Sequence, residues 1–333
     1  MKPPGRPLHF EYRTDADTNG GGMAADVRRG LQSDPKRLPS KYFYDARGSD
    51  LFEQICAQPE YYLTRVELGI LRRHGPDLAR AIGERAMLVE YGSGSGVKTR
   101  LLLEALIDPV AYVPVEISAS ALKQSVEQLA ARFDQVQMLP LCADFNTRVA
   151  LPTPRREPRS VLIFFPGSTL GNFEQTEALQ LLRVMHDEMG AQGAALIGID
   201  LKKDPAVLEA AYNDAAGVTA AFTLNLLGRL NRELGADFDL SQFVHRARYN
   251  AQAGRIETHI VSRVDQQVRL QQARIEFATC EKMLVEYSCK YSLPEFDAMA
   301  SRAGLQVTRT WTDDDQRFAL LLLRRGAGPA STA

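Results

Sequence analysis

The chain has 333 residues, 45% of them hydrophobic and 24% charged, and 40 Lys and Arg against 41 Asp and Glu leave a formal net charge of −1. That length supports one large α/β core or a core with an inserted domain, while near-neutral charge gives no general reason to bind nucleic acid or an anionic membrane. No apolar run approaches the span of a bilayer and no basic segment precedes an apolar one at the N-terminus, so the expectation is a cytoplasmic protein acting on small molecules, monomeric or weakly self-associating.

In chain order, TDADTNGGGMAAD (14 to 26) has the glycine and small polar content of a mobile segment, as does the tail GAGPASTA (326 to 333). From about residue 86, short apolar runs alternate with longer amphipathic ones: MLVEYG (87 to 92), YVPVEI (112 to 117), VQMLPLCADF (136 to 145), SVLIFFPG (160 to 167) and AALIGIDL (194 to 201). Near-continuous apolar runs in that rhythm predict a mostly parallel sheet buried on both faces by crossover helices. After Leu201 the rhythm breaks. Residues 203 to 235 read as largely helical, and RIETHIVSRVD (255 to 265) and QVRLQQARIEF (267 to 277) alternate like antiparallel strands. A helix over 293 to 305 and strands over 306 to 313 and 317 to 325 then finish the sheet. The predicted fold class is α/β, a doubly wound Rossmann-like core with a second domain formed by the N-terminal segment and a central insertion. Its boundaries are 1–62 (N-terminal segment), 63–201 (core, first part), 202–288 (insertion), 289–325 (core, C-terminal part) and 326–333 (flexible tail).

Cys56, Cys142, Cys280 and Cys289 form no CxxC pair and have no histidine at metal-ligand spacing. Buried, reduced thiols are expected, with no disulfide framework and no metal.

The segment LVEYGSGSGVKTRLL (88 to 102) places a glycine turn between an apolar run and an amphipathic one, where open α/β sheets bind ligands. Val97 separates Gly96 from Lys98 and breaks the phosphate-loop pattern; it also occupies the third small position of the dinucleotide fingerprint begun by Gly92 and Gly94. S-adenosylmethionine has no pyrophosphate and needs only close backbone approach, which a G-x-G-x-G turn permits. Glu116 ends the next strand, where an acid can accept both ribose hydroxyls, and Asp144 and Phe145 end the third, where a carboxylate and an aromatic face suit adenine. Lys98 joins Gly92, Gly94, Glu116, Asp144 and Phe145 as a cofactor-binding candidate. Singly, each has an ordinary structural explanation: the glycines make a turn, and either acid caps a helix. Together and in order they point to a methyltransferase, with a nucleotide-binding regulator or dehydrogenase as the competitor from another class.

Four stretches are too unusual to pass as packing, and three of them carry polar groups beside aromatics: KYFYDARGSDLFEQICAQPEYYLTR (41 to 65), FFPGSTLGNF (164 to 173), the AAYND around Tyr212, and VEYSCKYS (285 to 292). With these motifs the chain, from about residue 38 to 323, resembles the histidine-specific Nα-methyltransferases of ergothioneine biosynthesis, which make hercynine. The resemblance implies S-adenosylmethionine as methyl donor and histidine as small-molecule substrate. It implies that Asn172 and Tyr212 grip the substrate carboxylate, that Tyr44 and Tyr61 lie near the imidazole, and that Glu286 and Ser288 select the ring. Independently, an amide and a phenol both donate to a carboxylate, and residues two apart on a strand share a face. A carboxylate and a hydroxyl on one face suit a ring with two nitrogens better than an indole with one N–H. Tyr44 is the candidate catalytic residue, orienting the α-amine or its water. Cys280 stands where the family often has glycine, and Thr258 where relatives often carry a larger apolar side chain. These departures keep open another aromatic amino acid or a modified histidine as substrate.

Overall fold

Burial on both faces of a parallel sheet requires each strand to send alternate side chains to two different cores, and the central strands do so. The computed structural model describes residues 13–14, 22–94, 96–116 and 119–326. Its helices are α1 (Met23–Gln32), α2 (Ala46–Ala57), α3 (Tyr62–Ile82), α4 (Val97–Ala105), α5 (Ala119–Ala130), α6 (Gln175–Glu188), α7 (Pro205–Ala211), α8 (Val218–Leu234) and α9 (Leu293–Arg302). Its strands are β1 (Arg13–Thr14), β2 (Ala86–Tyr91), β3 (Ala111–Glu116), β4 (Gln137–Met138), β5 (Leu141–Cys142), β6 (Ser160–Phe165), β7 (Ala194–Asp200), β8 (Phe243–Asn250), β9 (Arg255–Ser262), β10 (Gln266–Leu270), β11 (Ala273–Phe277), β12 (Lys282–Cys289), β13 (Leu305–Thr312) and β14 (Phe318–Arg325).

Among the described residues, nine strands form the main sheet in the order β1-β5-β3-β2-β6-β7-β14-β13, with β4 beside β3. The pairs from β5 to β7 are parallel, whereas β14 runs antiparallel to β7 and β13 to β14. Chain order reverses at β2, which lies between β3 and β6, so the glycine turn after it is at the topological switch point. Val89, Tyr91, Ile163, Phe165, Ala195 and Ile197 face a core closed by α6 and α9; Leu88, Leu162, Phe164 and Leu196 face one closed by α3 and α4. This is the doubly wound Rossmann-like α/β architecture.

A third core lies outside this sheet. Val27, Phe43, Ile55 and Leu63 from the N-terminal segment pack with Leu208, Phe222 and Leu226 of α7 and α8, and with Ile256, Ile260 and Met283 of the antiparallel sheet β12-β9-β8. Its inner face is the parity that carries Ala247, Ile256, Thr258 and Ile260, while Arg246, Arg248, Glu257 and His259 occupy the other. A bulge at Val285 resets β12, so Glu286 pairs with Thr258 and Ser288 with Ile256.

Several expectations are corrected. Residues 267 to 277 are not one strand but the hairpin β10-β11, turned at Gln271 with φ 54°, and they pair with each other rather than with β9. Strand β8 had not been anticipated, because FVHRARYN is too polar on its outward face to read as a run. The mobile segment proposed over 14 to 26 overlaps α1, whose Val27 and Leu31 are buried; amphipathic helical spacing outweighs the preceding glycines. The rest of that segment beyond Thr14, up to residue 21, and the tail beyond residue 326 lie outside the described residues. All four thiols are free, but Cys280 is exposed and the other three only half-buried. Among the described residues no helix is long and apolar enough to cross a membrane, and no group of three or more His, Cys, Asp or Glu is placed to hold a metal.

Candidate active site

The glycine turn has the backbone its sequence requires: Gly92, Gly94 and Gly96 have φ of 76°, 45° and 70°, in the left-handed region that disfavours side chains. Gly92 N–H donates to Val115 O at 2.9 Å, tying the turn to β3 just before Glu116, which is half-buried. A Cβ on Gly94 would meet nothing within 4 Å among the described residues. Ser93 Oγ is buried there without a partner, and Phe145 stacks on Tyr91 at 5.2 Å beside Gly92. Asp144 lies in the loop beyond β5, not on the strand, where its Oδ1 caps Asn146 N–H at 2.9 Å. An exposed backbone turn, an orphaned hydroxyl, an acid at the end of β3 and a flat aromatic together fit an adenosyl sulfonium group. Lys98 is drawn aside: its Nζ pairs with the fully buried Glu67 at 2.6 Å, which also accepts the Gly167 N–H at 3.0 and 2.9 Å. Beneath the turn Glu90 accepts from Thr99 at 2.7 Å and from Tyr112 at 2.5 Å, and burial pushes its pKa up to about 7 despite both bonds.

Across from this turn, four chain segments converge. Tyr44 follows a 3₁₀ turn over Ser40–Phe43; its ring packs edge-on against Phe52 and Phe222, both at 5.7 Å, yet it is 42% exposed. Asp45 caps α2 through Gly48 N–H at 2.7 Å and accepts from Asn225 at 2.8 Å, which fixes the backbone carrying Tyr44. Tyr61 packs edge-on against Tyr212 at 6.3 Å. The two adjacent tyrosines divide their work: Tyr62 Oη donates to Asp200 at 2.9 Å, while Tyr61 Oη has no hydrogen-bond partner among the described residues. Asn172 ends the 3₁₀ turn over Thr169–Asn172 with its amide likewise unpartnered. That turn presses on β12 so closely that a Cβ on Gly171 would lie 2.8 Å from Cys289 O, which brings Asn172 beside the strand of Ser288.

Tyr212 Oη and Ser288 Oγ are 2.6 Å apart, and Glu286 shares the Ser288 face of β12. Glu286 makes no side-chain hydrogen bond among the described residues, and burial pushes it up to about 7 against the pull of Lys290. Burial raises the phenols of Tyr61 and Tyr212; the protein packed around Tyr44, and then the Glu286 carboxylate, raise its phenol too, although part of the ring is open to solvent. Tyr44 therefore stays protonated at neutral pH, so it can orient an amine but is a poor base. Thr258, across from Glu286, is buried with its Oγ1 unpartnered, and Cys280 occupies a glycine-like φ of 67°.

Sequence reasoning had missed a buried charge network behind these residues. Asp200, at the end of β7, pairs with Lys290 at 2.8 Å and Lys203 at 2.6 Å, and Lys203 also donates to Tyr62 Oη at 2.7 Å. The available signals were an acid closing an apolar run at AALIGID and a lysine two residues beyond Ser288.

Residues 23–325 match the model of a family described as histidine-specific methyltransferase, SAM-dependent. The histidine N-alpha-methyltransferase of Mycolicibacterium smegmatis is 40% identical, covering 93% of this chain and 97% of its own; that of Mycobacterium tuberculosis is 40% identical over 90% and 94%. Ergothioneine biosynthesis protein 1 of Neurospora crassa is 32% identical over 87% of this chain and 33% of its own.

Proposed function

The chain belongs to the SAM-dependent, histidine-specific methyltransferase family, and from this premise we propose that it transfers three methyl groups from S-adenosylmethionine to the α-amine of L-histidine, giving hercynine, a step of ergothioneine biosynthesis. The observation that carries the substrate reading is the unpartnered Glu286 carboxylate on one strand face with Ser288, opposite Tyr44, Tyr61 and Tyr212. When bound, the cofactor supplies an activated methyl group, and Gly92, Gly94, Glu116, Asp144 and Phe145 hold it. Lys98, paired with Glu67, stands aside from that group.

Asn172 and Tyr212 donate to the substrate carboxylate; Glu286 and Ser288 satisfy the imidazole nitrogens. Neither anchor changes as successive methyl groups are added, so the nitrogen returns to the same position each time. Tyr44 orients the α-amine, and its protonated phenol leaves proton removal to water on its open side. No covalent intermediate on the protein is needed. Among the described residues, 22–62 and 202–288 make the substrate-binding part, joined by Asn172 from the core, while the 63–201 and 289–325 parts carry the methyl donor; β1 belongs to the sheet of the core and not to the substrate-binding part.

The test is mass spectrometry of the protein incubated with S-adenosylmethionine and histidine, tryptophan, tyrosine or histamine in parallel. Trimethylated histidine with histamine unreacted is expected; turnover of another amine without histidine would overturn the assignment. The orphaned Thr258 hydroxyl favours a second reading, another aromatic amino acid or a ring-modified histidine, which the same panel extended to such analogues distinguishes.

A further inference from the structure

Lys290 lies one residue past β12 with its side chain fully buried. An ammonium has three N–H donors and no acceptor. All three are engaged: Asp200 Oδ2 at 2.8 Å, Tyr212 Oη at 2.9 Å and Ser288 Oγ at 2.8 Å. It therefore has no N–H left for a substrate and acts only through the groups it holds. The two hydroxyls it donates to also bond each other at 2.6 Å. Of their two protons, one lies between them and one is free.

We propose that Lys290 is a positioning residue that holds the Tyr212–Ser288 hydroxyl pair together, so that only one of its two O–H groups is free to meet the substrate. This deepens the function proposed above and rests on it. Lys290 occupies a lone pair on each oxygen and either hydroxyl can donate to the other; the arrangement in which Ser288 donates to Tyr212 is the one that leaves the Tyr212 O–H for the carboxylate. Ser288 then has only a lone pair to offer, so it accepts a ring N–H and does not donate to the ring. A ring that gives one N–H to Ser288 and still bonds Glu286 must have two usable nitrogens, which an indole lacks. Charge points the same way. The Lys290 ammonium, paired with Asp200, stands directly behind the Tyr212 hydroxyl and places positive charge on the side from which that hydroxyl would meet a carboxylate.

The test compares Lys290→Gln, Lys290→Arg and the double variant Lys290→Gln with Asp200→Asn, each alone and combined with Tyr212→Phe. Lys290→Gln alone leaves Asp200 still paired with Lys203 at 2.6 Å and so should fold, whereas the double variant strips Lys203 of its carboxylate; melting curves of both separate loss of fold from loss of the substrate contact. Expected are a rise of about tenfold or more in KM for histidine, kcat changed less than KM, cofactor affinity within about twofold of wild type, and partial rescue by Arg. In the Tyr212→Phe background the Lys290 effect should shrink to less than about threefold, since the hydroxyl it holds is gone. Additive effects in that background, or a parallel fall in cofactor affinity, would overturn the proposal. Wild-type protein that turns over no histidine would instead overturn the function; normal wild-type turnover with unaffected Lys290 variants overturns this inference alone.

Discussion

The two halves of the candidate site are built by different means. The cofactor half is a backbone device: three consecutive alternate residues in left-handed conformation, tied to the neighbouring strand by one main-chain bond, with side chains at strand ends. The substrate half is a side-chain device in which Tyr44, Tyr61, Asn172, Tyr212 and Glu286 come from segments up to 242 positions apart, with Tyr212 and Ser288 held by the buried Lys290–Asp200 ion pair. The contrast teaches where each half is vulnerable. A backbone turn fails through strain, while a side-chain constellation fails through loss of one polar partner, which in a buried ionic setting costs about 3–5 kcal/mol.

The sharpest test of that division is Glu286→Ala, expected to raise KM for histidine by about a hundredfold, in line with a charged hydrogen bond worth about 1.5–3 kcal/mol. Cofactor affinity by calorimetry should stay within about twofold; equal loss of both would break the comparison. On the other side, Gly92→Ala forces a side chain into φ 76°, a cost of about 1–2 kcal/mol. Cofactor binding should weaken about five- to thirtyfold, with histidine affinity measured separately little changed.

A third expectation concerns stability and pH. Burial raises Glu286 to about 7 from an ordinary value of 4.5, so between those values the folded chain holds a proton that the unfolded chain releases. Stability contributed by this group is therefore full below pH 4.5 and lost as pH rises to 7. Glu286→Gln should melt at the wild-type temperature near pH 4.5 and above it at pH 8, measured by calorimetry; Glu90, shifted in the same sense, is present in both proteins and cancels. The smallest effect is expected outside both halves. Cys280→Gly relieves φ 67° and should stabilise the chain by about 1 kcal/mol or less with kinetics unchanged.

Much of the cofactor half was legible in the sequence, because a glycine turn after an apolar run is a local pattern whose conformation follows from the residues themselves. Even there, Lys98 was read without Glu67, which lies on α3 and meets it only through the fold. Glu286 and Ser288 were legible as one strand face. The bulge at Val285 that aims them was not, because it depends on how β12 pairs with β9. The hairpin β10-β11 and strand β8 were missed for the same reason: alternation marks extended backbone but not its partner.

By itself, then, the sequence determined the doubly wound sheet, its glycine turn and the types of group needed to hold an amino acid, since apolar periodicity and glycine conformation are properties of short segments. Only the tertiary structure decided which tyrosine of the pair at 61 and 62 is bonded to Asp200, where Asn172 meets β12, and that Lys290 and Asp200 stand behind Tyr212 and Ser288. Hydrogen-bond direction and the sharing of buried charge depend on distances between distant segments, and those exist only once the chain has folded.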